Sequence, residues 1–296
     1  MHDVFIQIME SGPPLLEAVK RFRQHRLAVA GAAIVVVLCF LAICASFIAR
    51  PGHLQPDLVH RLLPPGSGYL LGTDNLGRCI FCRLVLGTRV TLQVGIFVVG
   101  ITSTVGILLG AIAGYWGGLI DEVIMRFVDV LLAFPGIILA LVIAGILGPS
   151  LFSIMFAMSL IGWTSYARVV RGAVLSVKER EFVEAARSLG AGDLRIIFRH
   201  ILPNILAPVI VMATLGMAHV ILSAAALSFL GLGVQPPAAE WGSMLNAGRP
   251  FMRTAPQMTV FPGLAIMITV LAFNFLGDGF RDALDPWLKE TGEEGE

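Results

Sequence analysis

Charge is what this chain has least of. Only 14% of its 296 residues are Asp, Glu, Lys or Arg, where a soluble domain carries about 25%. The 20 acidic and 21 basic side chains leave a net charge of +1, so no basic tail points to nucleic acid. Lysine is scarcer still, with Lys20, Lys178 and Lys289 the whole supply. Their contexts, VKR, VKE and LKE, exclude a Gly-Lys-Ser/Thr phosphate loop, in which the lysine reaches a phosphate cradled by backbone amides. The chain therefore does not bind ATP by that motif. HExxH and GxSxG are absent, and the six histidines (2, 25, 53, 60, 200, 219) are scattered, leaving no hydrolase constellation. No enzyme activity is expected, no catalytic residue or metal ligand is assigned, and no cofactor is implied.

What is present is apolar. The composition is 56% hydrophobic, which also excludes intrinsic disorder. A bilayer core takes about 20 mostly apolar residues to cross. Leu27–Ala49, Thr91–Ala113, Val130–Gly148, Leu151–Ala167, Ile205–Leu230 and Met258–Leu276 are uncharged stretches of that kind, which predicts six spans. The fourth is short and follows the third after only Pro149 and Ser150. Leu27–Ala49 is too long, and too far from the start, for a cleaved signal peptide. Pro135 and Pro149 are expected to kink or end the third span. The expected fold is all-α: a polytopic integral membrane protein.

Lys20, Arg21, Arg23 and Arg26 precede the first span and only Arg50 follows it closely, which places residues 1–26 in the cytoplasm. Six spans return the tail, 278–296, to the same side. Residues 50–90 are then extracytoplasmic and 91–277 form the membrane core, although Arg78, Arg83 and Arg89 weigh against that orientation. The spans hold no Asp, Glu, Lys or Arg, so an ion-coupled carrier lacks its usual midplane groups. His219 and Asn274 are among their few polar side chains. Any energy source is expected on another chain.

The longest cytoplasmic loop, 168–204, carries seven basic and four acidic residues. Helix formers fill Lys178–Leu189, Gly190 to Gly192 should end that helix, Asp193 can cap a second over Leu194–Leu202, and Pro203 should stop it. This helix-turn-helix reads either as a solvated linker or as a docking knob for a cytoplasmic partner.

The run EFVEAARSLGAGDLRIIFRHILPN resembles the EAA loop of membrane subunits of ATP-binding-cassette importers. Glu184, Ala185, Ala186, Gly190, Leu202 and Pro203 occupy its pattern, and His200 departs mildly from it. LGTDNLGRCIFCRLVLGTRVTL (71–92), LSFLGLGVQPPAAEWGSML (227–245) and FPGLAIMITVLAFNFLGDGFRDALDP (261–286) are similar to the dipeptide, oligopeptide and nickel branch, in the order of its second permease. The resemblance implies a type I importer transmembrane domain with a cytoplasmic coupling helix, Asp193 included. It also implies a homologous permease as partner in a heterodimer, two cytoplasmic ATPase subunits that hydrolyse the ATP, an extracytoplasmic solute-binding protein and surrounding membrane lipid. The setting would be a bacterial or archaeal plasma membrane, the inner one in a Gram-negative cell. Dipeptides or oligopeptides lead as solute, with nickel or a nickel chelate as alternative. A stand-alone channel or secondary carrier is the rival of another class.

Other features have two readings each. Gly106, Gly110 and Gly114 form a small-residue stripe suited to close helix packing, or part of a pore wall. Cys79 and Cys82 form a CxxC on the outer side, where the branch more often has Asp and Ser; it reads as two incidental thiols or a local disulfide, against a redox or metal role. His219 is either a hydrogen-bonded residue between helices or a solute-path residue, even a transient nickel contact. The outer loop 231–257, with Trp241, Arg249 and Arg253, is either an ordinary surface loop or a binding-protein contact.

Overall fold

A computed structural model of the chain describes residues 14–49, 54–66, 68–235 and 237–284. Most of the expected cytoplasmic tail, the start of the N-terminal segment and Arg50 lie outside the described residues. Among those described, the structure is helical, with one isolated antiparallel bridge between Thr73 and Cys79. In chain order the helices are α1 (Pro14–Gln24), α2 (Arg26–Ile48), α3 (Ile80–Trp116), α4 (Gly118–Leu132), α5 (Gly136–Leu147), α6 (Leu151–Lys178), α7 (Glu181–Ser188), α8 (Asp193–Ile196), α9 (Leu202–Phe229), α10 (Trp241–Gly248) and α11 (Gln257–Leu284).

Side chains fix several of the starts. His25 Nδ1 accepts from Ala28 N at the head of α2, and Ser150 Oγ accepts from Ser153 N at the head of α6, so each satisfies a donor the first turn leaves open. Helix α3 is the mast of the bundle. Its 37 residues reach roughly 55 Å, well beyond an apolar bilayer core of about 30 Å. It begins eleven residues before the expected span, so much of 50–90 is loop and its last part is helix.

The glycine stripe fixes the α3–α6 contact. A Cβ on Gly106 would collide with the Cβ of Tyr166, one on Gly110 would sit 2.5 Å from the Ala167 carbonyl oxygen, and one on Gly114 2.9 Å from Val174 Cβ. Bare backbone at these three turns lets the helices lie against each other, as the packing reading expects. Tyr166 then reaches across to donate to the Met212 carbonyl on α9. Helix α2 is peripheral: only Ala28, Gly31 and Ala45 are buried, while Ile43 and Phe47 are 77% and 89% exposed. An apolar face of that size belongs against lipid or a partner.

The third expected span is not one helix. Gly118–Leu132 and Gly136–Leu147 meet at 84°. Pro135 caps α5 and has no N–H to continue the ladder. On the other side of the bend α4 carries Asp121, Glu122, Arg126 and Asp129, and two of these bind α6: Arg171 donates to Asp121 through Nε and Nη2, and Arg168 Nη2 lies 2.6 Å from Asp129. Four described helices are long and apolar enough to cross a membrane, α2, α3, the continuous run Asp193–Phe229 and α11, and the bent pair makes a fifth. Helix α6, the fourth expected span, is 28 residues long but less apolar, since Arg168, Arg171 and Lys178 lie on it.

Candidate functional site

Residues 178–204 form an exposed elbow at one end of the bundle. Helix α6 runs through Lys178, so the expected helix from that residue starts three positions later, at Glu181. Helix α7 ends in a paired cap: Ala191 N donates to Ala186 O and Gly190 N to Arg187 O. Gly190 has φ +80°, a conformation that costs a residue with a Cβ about 1–2 kcal/mol. The expected turn at Gly190 is therefore present. The expected cap at Asp193 is not: Gly192 occupies the cap position and Asp193 is the first helical residue.

Nor does Pro203 stop the second helix. A π-helical turn over Ile197–Ile201 passes straight into α9, with Leu202 N reaching back five residues to Ile197 O. The wider turn absorbs a residue whose ring and missing N–H break an ordinary ladder. Asn204 Nδ2 donates to the His200 carbonyl beside it.

Two contacts from the end of α3 hold this elbow. Lys178 Nζ donates to Gly114 O at 3.1 Å, just before α7, and Tyr115 OH donates to Asp193 Oδ1 at 2.7 Å, just after it. Between them, Val183 is fully buried and Ala186 is 9% exposed. Val183 joins Val170, Val174, Val177, Ile196 and Ile201 in one apolar cluster. The opposite face is open: Glu184 and Ala185 are exposed, as are Leu189 (88%), Leu194 (65%) and Phe198 (60%). The two alanines of the EAA pattern thus point apart, Ala186 toward the bundle and Ala185 outward. Leu202 is half-buried and Pro203 exposed.

The loop 231–257 sits at the other end of α3. Trp241 is 2% exposed. Its Nε1 donates to Leu84 O at 3.0 Å, and its ring fills the space a Cβ on Gly87 would take. Trp241 consequently offers no surface to a binding protein; it pins α10 to α3. Arg249 and Arg253 are exposed, Arg249 lying 6.0 Å from the Phe229 ring centroid, within cation–π range. Between Leu84 and Tyr115 lie about 31 helical residues, so elbow and outer loop are roughly 45 Å apart along the mast.

His219 is exposed on α9, so no helix of this chain covers it. Asn274 on α11 is half-buried. Although α9 and α11 pack together, no hydrogen bond joins these two. Among the described residues no group of three His, Cys, Asp or Glu could hold a metal ion.

Three features escaped the sequence reading. Asp74 is buried with Arg78 and Arg83: its carboxylate accepts from Leu76 N, Arg78 N and Arg78 Nε, and Arg83 Nε lies 3.7 Å away. Glu240 is 5% exposed and caps α10, accepting from Gly242 N and Ser243 N at 2.8 Å each. Burial pushes its carboxyl above the ordinary range, against those hydrogen bonds. The Tyr115–Asp193 contact is the third. No sequence signal marks Glu240, because glutamate is not among the residues that favour a helix N-cap.

Comparison with known proteins follows the same division of the chain. Residues 106–290 match the family described as binding-protein-dependent transport system inner membrane component, and residues 14–65 match the N-terminal transmembrane domain of oligopeptide transport permease C. A dipeptide transport system permease of Alkalihalophilus pseudofirmus is 47% identical over 93% of this chain and 91% of its own length. A glutathione transport system permease of Pectobacterium atrosepticum is 44% identical over 93% and 92%, and a dipeptide permease of Haemophilus influenzae 41% identical over 94% and 96%. In fold, the chain resembles a chain of the MetNI methionine ABC transporter in an inward-facing conformation, with a TM-score of 0.55 at 19% identity, over 67% of this chain and 94% of that one.

Proposed function

Because the chain belongs to the family of binding-protein-dependent transport system inner membrane components and is a permease subunit of an ATP-binding-cassette importer, itself no enzyme, we propose that it forms half of a path for short peptides. Relatives named for dipeptides and for glutathione, a tripeptide, share that solute class. Nickel has no comparable support: His219 stands without two further ligands among the described residues.

The observation that carries the reading is the elbow. A short helix with an open face is clamped on both flanks to the end of α3, and beyond the Gly190 turn the chain runs through α8 into α9. Glu184, Ala185, Leu189 and Leu194 form the surface an ATPase subunit grips, and Val183 and Ala186 pass its movement to α6 and α9. Closure of the ATPase pair then turns α9 and α11, where His219 and Asn274 border the path, and opens it to one side at a time. Hydrolysis stays on the partner chain.

The elbow end is the cytoplasmic one in this reading. Arg78 and Arg83, which counted against that orientation, are buried on Asp74, so they are not free interfacial charges. A homologous permease covers the apolar faces that lipid does not, and a binding protein docks at Arg249 and Arg253. Mass spectrometry of the complex drawn from native membranes by a tag on this chain tests the whole. An ATPase with a peptide-loaded binding protein is expected; recovery with no ATPase overturns the importer assembly, and a nickel-loaded binding protein overturns the peptide assignment.

A further inference from the structure

Cys79 and Cys82 have no part in coupling or docking, yet they are placed as a pair. Cys79 caps α3, and its Sγ accepts the N–H of Cys82 at 3.2 Å. They are 4% and 6% exposed, and no disulfide joins them. A capping side chain folds over the third residue of its helix, and here that residue is the other cysteine. The two thiols thus share a single turn, the proximity that pairing of two cysteines requires. The backbone around Cys79 is fixed from the other side by the Thr73–Cys79 bridge and by Asp74 N donating to Arg78 O. A cavity of about 160 Å³ borders both cysteines, between Tyr69, Leu70 and Phe81, and gives a small reagent access. Cys39 and Cys44 are the contrast: five residues apart on α2, they point roughly 140° away from each other.

We propose that Cys79 and Cys82 form a reversible dithiol–disulfide site that exchanges with small-molecule disulfides, at the end of the bundle opposite the elbow. One protein thiolate attacks a sulfur of the small disulfide, breaking its S–S bond and releasing one small thiol, which takes up the proton the cysteine gave up. The second cysteine thiolate attacks the protein sulfur of the mixed disulfide and releases the other small thiol with the second proton. Two cysteine thiols are oxidised and one small disulfide is reduced to two thiols. The bond closes only one helical turn, so it restrains the unfolded chain little and stays reducible.

The test uses the assembled complex in lipid nanodiscs, equilibrated with 2-hydroxyethyl disulfide and 2-mercaptoethanol at graded ratios, acid-quenched, alkylated and mapped by peptide mass spectrometry. The expected result is loss of alkylation at Cys79 and Cys82 together, with the peptide lighter by two hydrogens. Excess 2-mercaptoethanol restores alkylation, and Cys39 and Cys44 form no bond with each other at any ratio. Cys82→Ser is expected to trap a mixed disulfide on Cys79. The proposal is overturned if both cysteines stay alkylatable in the folded complex while the urea-unfolded chain forms the bond, or if oxidation is not reversed. Should Cys82→Ser fail to fold, the wild-type titration decides alone. None of these outcomes depends on which solute is carried.

Discussion

The Tyr115 hydroxyl donates to the Asp193 carboxylate at 2.7 Å, joining the last turn of α3 to the residue that restarts the helix after the Gly190 turn. With Lys178 on the Gly114 carbonyl, it makes the end of α3 a two-point clamp on α7. Tyr115→Phe keeps the ring, which packs edge-on against Trp116, and removes the hydroxyl with its contacts to Asp193 and Arg187. A hydrogen bond to a charged group contributes about 1.5–3 kcal/mol when well shielded, and exposure here places the loss at the low end. The complex is expected to assemble normally while solute moved per ATP falls several-fold. Simultaneous measurement of uptake and ATP hydrolysis in proteoliposomes checks this; an unchanged ratio removes the clamp from the coupling path.

The glycine stripe makes a graded prediction. Gly110→Ala places a methyl against backbone at Ala167, and overpacking of that kind costs about 1–3 kcal/mol. Gly106→Ala meets the Tyr166 Cβ and is expected to cost as much or more. Gly100→Ala, on the same helix, meets nothing within 4 Å and is expected to leave the midpoint in place. Thermal unfolding of the three variants in detergent separates them; equal midpoints would contradict the close α3–α6 contact.

Trp241 and the outer arginines are expected to part company. Trp241→Ala empties a fully buried site and leaves the Leu84 carbonyl without its donor, a change of about 3–5 kcal/mol, visible as poor yield or a lowered unfolding midpoint. Arg249→Ala and Arg253→Ala are exposed and are expected to leave stability unchanged while weakening capture of the loaded binding protein. Surface plasmon resonance on nanodiscs reads the second effect. A double arginine variant that binds normally would remove that loop from the docking surface.

Glu240 gives a pH dependence with a definite sign. Burial raises its carboxyl above the ordinary value of 4.5, so the folded chain holds this proton more tightly than the unfolded one. Its contribution is fully present below that ordinary value and is lost as pH rises through the folded value. Unfolding midpoints measured from pH 4 upward are expected to show a decline that Glu240→Gln flattens. A rise over that window for the wild type, absent in the variant, would contradict the assignment.

Much of the helix order was legible because apolar runs declare themselves without knowledge of neighbours. The glycine stripe was legible for the same reason, since its period alone puts it on one face. What could not be read depended on distant partners. The 84° bend rests on Pro135, which the sequence displays, and on Asp121 and Asp129, whose arginines lie 50 and 39 residues away. Trp241 looked like a loop aromatic because the carbonyl that buries it is 157 residues distant. Pro203 misled through a rule that holds for α-helices and fails where a π turn precedes the proline.

The open face of α7 is proposed to receive the stroke of a separate ATPase. ATP-driven uptake of a labelled dipeptide into proteoliposomes holding the whole complex tests it most directly, with wild type compared with Glu184→Lys and Gly190→Pro. Glu184 is exposed, so its substitution leaves the bundle intact, whereas proline cannot adopt the φ of +80° at Gly190. Both variants are expected to insert into the membrane and to lose uptake. Wild-type uptake by Glu184→Lys and Gly190→Pro alike would contradict it.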